Sequence, residues 1–104
     1  MRLITLLLLL TSLSVMGQSK FTLSGYLRDS DNGEGLIGAT VYVDEIAGGT
    51  TTNVYGFYSI SLPPGTYNLT FNFLGFTAQK KTVELSADQT LDIEMAPDQQ
   101  LLEV

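Results

Sequence analysis

The sequence predicts an all-β sandwich of about seven short strands, and three observations carry that prediction. Apolar residues recur at every second position over several stretches, the pattern of strands with one buried face. Turn formers separate those stretches at intervals of about 8–12 residues, as in a sandwich. No stretch sustains apolar residues at helical spacing. The chain has 104 residues, enough for one domain.

The first 17 residues stand apart from that pattern. Arg2 forms a short positive region, Leu3 to Leu10 is apolar except for Thr5, and Val15-Met16-Gly17 precedes Gln18. This order fits a signal peptide cleaved after Gly17. The apolar run falls short of the ~20 residues that span a bilayer. The expectation is a leader over 1–17, an exported product without a transmembrane helix, a domain over 18–96 and a tail over 97–104.

The domain opens with a strand from Lys20 to Arg28, where Phe21, Leu23, Gly25 and Leu27 share one face. Asp29-Ser-Asp-Asn-Gly-Glu-Gly35 breaks it with turn formers. A second strand runs from Leu36 to Asp44, with Ala39, Val41 and Val43 inward and Thr40 and Tyr42 outward. Ala47-Gly48-Gly49 reads as the next turn. Thr50, Thr51 and Thr52 favour extended backbone because they are β-branched. After a turn at Asn53–Gly56, Tyr58, Ile60 and Leu62 alternate with Phe57, Ser59 and Ser61. Beyond Pro63-Pro64-Gly65, Tyr67, Leu69, Phe71 and Phe73 alternate with polar residues. These two runs read as a central antiparallel hairpin, with Gly65 free to adopt a positive φ. Phe76 to Leu85 comes next as a strand whose Lys80-Lys81 pair suits an edge. Ser86–Gln89 turns the chain, and Leu91, Ile93 and Met95 form a final strand that Pro97 ends.

Composition excludes several functions. With neither histidine nor cysteine, the chain can build no zinc site, no Ser-His-Asp triad, no disulfide and no lipidated cysteine. No serine sits in a Gly-x-Ser-x-Gly elbow. Removing Arg2 with the leader leaves four basic groups against eleven acidic ones, a net charge of −7, which argues against nucleic acid as a partner. Asp29, Asp31, Asn32 and Glu34 offer oxygen atoms in a Gly-rich loop. Their spacing fails the EF-hand pattern and suits self-bonded Asx turns better than calcium. Asn68-Leu69-Thr70 matches a glycosylation sequon but lies within a strand. No cofactor is expected. Tyr26, Tyr42 and Phe57 point outward and are candidates for a sugar-stacking or partner-binding surface.

Taken together, Gly35-Leu-Ile-Gly-Ala-Thr-Val-Tyr-Val43, Gly49-Thr-Thr-Thr-Asn53, Gly56-Phe-Tyr-Ser-Ile60, Leu62-Pro-Pro-Gly-Thr-Tyr67 and Leu74-Gly-Phe76 resemble the carboxypeptidase-regulatory-like (transthyretin-like) domain. The resemblance implies a seven-stranded Greek-key β-sandwich of the prealbumin type and no peptidase activity. Asn53 stands where the family usually has Asp, a change an Asx turn tolerates. A leader, this domain and then Leu101-Leu102-Glu103-Val104 are similar to the N-terminus of TonB-dependent outer-membrane receptors. That likeness implies a periplasmic interaction domain beside a receptor plug, with protein partners that include the TonB system and with Leu101–Val104 opening the TonB-interacting segment. An independent secreted module that binds carbohydrate or protein is the alternative.

Overall fold

The computed structural model describes residues 19–98. The expected leader over 1–17 and the candidate residues Leu101, Leu102, Glu103 and Val104 lie outside them.

Two sheets make up the described chain. In the first, β1 (Phe21–Asp29) is central, with β4 (Phe57–Leu62) antiparallel on one side. On its other side, β7 (Gln89–Thr90) and β8 (Ile93–Met95) both run parallel to it. The second sheet has the order β3 (Gly48–Thr51), β2 (Thr40–Val43), β5 (Gly65–Asn72), β6 (Gln79–Leu85), all antiparallel. Because β7 and β8 are two halves of one edge strand, the expected count of seven holds. Only β2–β3 and β5–β6 are hairpins; every other connection except the in-line step from β7 to β8 crosses between sheets, which is the Greek-key wiring of the sandwich.

The alternating apolar residues meet between the sheets. Leu23, Leu27, Tyr58, Leu62, Ile93 and Met95 from the first sheet form one core with Val41, Val43, Tyr67, Leu69, Phe71, Val83 and Leu85 from the second. The rings of Tyr58 and Phe71 touch edge to face across it, 5.9 Å between centroids.

The central hairpin is not formed. β4 pairs with β1 and β5 pairs with β2 and β6, so Pro63-Pro64 carries the chain from one sheet to the other as an arch. Two-residue hairpins need positive φ in the turn, and proline holds φ near −65°. Gly65 takes no positive φ either; it opens β5 opposite Leu85. Tyr67 fastens the arch by donating its hydroxyl to the Pro63 carbonyl oxygen at 2.6 Å. The turn expected at Ala47–Gly49 lies earlier, in a single 3-10 turn over Asp44–Ile46 closed by Ala47 at φ 47°. Gly48 and Gly49 belong to β3, where a side chain at Gly49 would strike the Val41 carbonyl. β2 also starts at Thr40 rather than Leu36, and β6 at Gln79 rather than Phe76.

Acidic side chains complete the ladders where backbone runs out. Asp88 Oδ1, just before β7, accepts from Thr22 N–H, and Asp92 Oδ1, in the gap between β7 and β8, accepts from Tyr26 N–H, each at 2.9 Å. Beyond the end of β2, Glu45 accepts from Asn68 N–H at 2.7 Å and from Asn68 Nδ2 at 2.8 Å. The backbone donor, foremost, holds the Glu45 carboxyl below the usual carboxylate range. The sequon asparagine is thus tied to β-sheet structure, with its Oδ1 also accepting from Thr82.

Candidate interaction surfaces

Four connections gather at the end of the sandwich where β1 finishes. Tyr26 opposite Phe57, Asp29 beside Met95, and Thr40 opposite Asn72 place segments 30–39, 52–56, 73–78 and 96–98 there together. Thr52, buried, stitches two of these segments. Its Oγ1 accepts from Ala39 N–H at 2.8 Å and donates to the Leu36 carbonyl oxygen. Backbones touch where Gly56 meets Gly35, with no room for a Cβ on Gly56 and a positive φ besides. Asn53 closes the tight turn as expected, its Oδ1 accepting from Tyr55 N–H and Phe57 N–H. The third and fourth segments are joined by Thr77 N–H to the Ala96 carbonyl and by Asp98 N–H to the Gly75 carbonyl. The last described residues, Pro97 and Asp98, are therefore still held by the sandwich at this end.

These stitched loops carry an exposed apolar row. Ile37 is 58% exposed, Val54 68%, Tyr55 73% and Leu74 94%. Thr40 pairs with Asn72, so the loop before β2 and the loop after β5 leave the second sheet at this same end. Beneath Leu74, Phe73 and Phe76 stack edge to face at 5.4 Å and pack on the core. The sequence reading missed all four exposed residues. The available signal was a bulky apolar residue inside a glycine- or asparagine-flanked turn, where burial by alternation has no meaning.

The expected aromatic surface divides in two. Tyr26 and Phe57 are cross-strand partners on the outer face of the first sheet, 5.1 Å apart, with the Arg28 guanidinium 4.5 Å over the Tyr26 ring. Tyr42 lies on the outer face of the second sheet, on the opposite side of the molecule. Each face of a sandwich points away from the other, so Tyr42 belongs to a different surface from the Tyr26–Phe57 pair. Tyr42 lines a concavity of about 380 Å³ with Thr40, Gly49, Thr50 and Thr51.

In the acidic loop, Asp29 and Asn32 turn side-chain oxygens onto the loop's own backbone. Asp29 Oδ1 accepts from Asp31 N–H and Asn32 Oδ1 from Glu34 N–H, two Asx turns closed by Gly33 N–H to the Asp29 carbonyl. The Tyr58 hydroxyl, buried in the core, donates to the Leu91 carbonyl oxygen at 2.6 Å. Burial, with a smaller contribution from the Asp92 charge, pushes its pKa well above the usual tyrosine value. A buried, anchored phenol of this kind is a structural group.

The described residues thus form a small two-sheet β-sandwich domain. The chain belongs to the CarboxypepD_reg-like domain family, matched over residues 23–104, a family of regulatory β-sandwich domains. It is 34% identical over 96 residues to TonB-dependent receptor P3 of Formosa agariphila, covering 92% of this chain and 9% of that protein. It is 38% identical over 76 residues to carboxypeptidase D of Anas platyrhynchos, covering 70% of this chain and 6% of that protein. The chain therefore spans less than a tenth of the length of either relative. Its fold also resembles a group B streptococcus pilus 2b backbone protein, with a TM-score of 0.58 at 15% identity over 80% of this chain and 43% of that one. Among the described residues, no helix is long and apolar enough to cross a membrane.

Proposed function

We propose that this chain is a non-enzymatic interaction domain of the periplasmic space, working as the front extension of a TonB-dependent outer-membrane receptor. The observation that carries this reading is the coincidence of the exposed row Ile37, Val54, Tyr55 and Leu74 with the end at which the described chain leaves the sandwich. A domain that hands its chain onward there sets its apolar loops against the next part of the receptor. Large apolar side chains gathered in exposed loops at one end suit a protein contact. The similarity to a TonB-dependent receptor supports the same arrangement. On this reading the leader directs export, and Leu101–Val104 begin the segment that reaches the TonB system. The absence of histidine and cysteine from the sequence supports a role in contact rather than catalysis.

An antibody against the sandwich, used to blot periplasmic and outer-membrane fractions of the native cell, tests this reading. The expected result is an outer-membrane band several-fold larger than 11.3 kDa. A small soluble band in the periplasm or medium would instead establish an independent secreted module.

A further inference from the structure

We infer that the outer face of the second sheet holds a binding site for a neutral oligosaccharide, centred on Tyr42. This goes beyond the receptor reading and stands on a different surface. The β2–β3 register sets Tyr42 opposite Gly49 and Thr40 opposite Thr51, and the β2–β5 register sets Thr70 and Asn72 along its other side. Cross-strand partners share a face, so the ring is surrounded by hydroxyls, an amide and one missing side chain. Gly49 cannot be anything larger, because a Cβ there would lie 1.8 Å from the Val41 carbonyl oxygen. Its bareness opens the concavity beside the Tyr42 ring.

Two further observations point to a ligand. Tyr26 pairs with Phe57 and Arg28, while Tyr58 and Tyr67 give their hydroxyls to backbone carbonyls. The Tyr42 ring and hydroxyl, like those of Tyr55 in its loop, have no partner among the described residues, and the side chains of Thr40, Thr51 and Thr70 on the same face make no hydrogen bond either, whereas Thr50 pairs with inward Val41 and adds only backbone here. The lining also contains no charged side chain, in a protein of net charge −6; Asp44, two residues along the chain from Tyr42, and Lys80, across from Thr70, lie outside it. The uncharged concavity of about 380 Å³ is shallow and open to solvent, a shape for a ligand laid along the sheet and not one enclosed in a cleft. Hydroxyl groups that both donate and accept, next to an open aromatic face, complement a sugar ring. The ring's C–H face lies on the tyrosine and its hydroxyls meet the threonines. A phosphate or carboxylate would find no cation in the lining.

The test is an amide NMR titration of the full chain with hexasaccharides of β-glucan, xylan, mannan and galactan, and with an oligogalacturonate as the anionic comparison. At least one neutral hexasaccharide should shift the amides of Thr40, Tyr42, Gly49, Thr50 and Thr51. Tyr42→Ala should weaken that binding about tenfold or more, the loss of an aromatic anchor, with amides off this face unmoved. Tyr42→Phe should retain the stacking, Thr51→Val should weaken binding, and Tyr55→Ala should leave it unchanged. No shift with any neutral sugar, shifts mapping elsewhere, binding of the oligogalacturonate alone, or full binding by Tyr42→Ala would each overturn the inference. None of these outcomes bears on which cell fraction carries the domain.

Discussion

At the scale of single residues, the hydroxyls of Thr52 and Tyr58 each tie separate backbone segments together, and neither residue stands out in the sequence. Thr52 reads as one of three β-branched residues in a row, yet it is the only polar side chain buried among the described residues. Its hydroxyl satisfies Ala39 N–H and the Leu36 carbonyl together. Thr52→Val keeps the shape and strands both backbone groups. The variant should lose roughly 2–3 kcal/mol, while Thr52→Ser should lose less because it keeps both bonds. Urea unfolding monitored by circular dichroism checks this order. Tyr58 is a second such case. Gly25 lies opposite it, and a Cβ on Gly25 would fall 2.0 Å from the Leu91 carbonyl oxygen that the Tyr58 hydroxyl reaches. Near neutral pH, Tyr58→Phe should be less stable by about 1 kcal/mol. In the folded protein the phenol resists ionisation, whereas in the unfolded chain it ionises near pH 10. Rising pH above ~10 therefore favours the unfolded wild type and not the phenylalanine variant. The stability gap should close or reverse by about pH 11, and a constant gap would contradict the assigned burial and bonding.

At the scale of elements, alternation identified which residues face the core but not which strands pair. Tyr58 and Leu62, and then Tyr67, Leu69 and Phe71, satisfy period two equally well as a hairpin or as an arch between sheets. The deciding information was local: two consecutive prolines exclude the positive φ values of a tight hairpin, while an arch needs none. The same limit applies at the second turn. Gly48-Gly49 looked like the turn itself, but close packing of β3 on β2 demands glycine within the strand. The edge character of β6 was legible, since Lys80 and Lys81 are both exposed at the border of the second sheet. The ladder-completing carboxylates of Asp88 and Asp92 were not, because the acceptor role of each depends on a distant partner. The arch carries its own prediction. Tyr67→Phe removes the hydroxyl that fastens Pro63, leaving ring packing intact. It should lower stability by about 1 kcal/mol, read as a lower urea midpoint with an unchanged slope.

At the scale of the whole molecule, one end of the sandwich carries four of the exposed large apolar side chains, with Ile46 exposed at the other end. Ile37, Val54, Tyr55 and Leu74 add little to stability by their exposure, yet the loops that carry them are tightly stitched by Thr52, Asn53 and the glycine contacts. Rigid backbone holding exposed apolar side chains is costly to solubility unless something covers them. If the proposed receptor arrangement holds, the cover is the part of the receptor that comes after the domain. A photoreactive benzophenone residue placed at Leu74 in the native protein should cross-link to it. The same residue at Ser61, exposed near the far end of β4, should not. Serine at all four apolar positions should change the unfolding free energy of each single variant by no more than about 0.5 kcal/mol. Cross-linking from the same end should nevertheless fall sharply. Equal yields from Leu74 and Ser61, or serine variants that unfold early, would mean that these side chains serve the fold and not a contact.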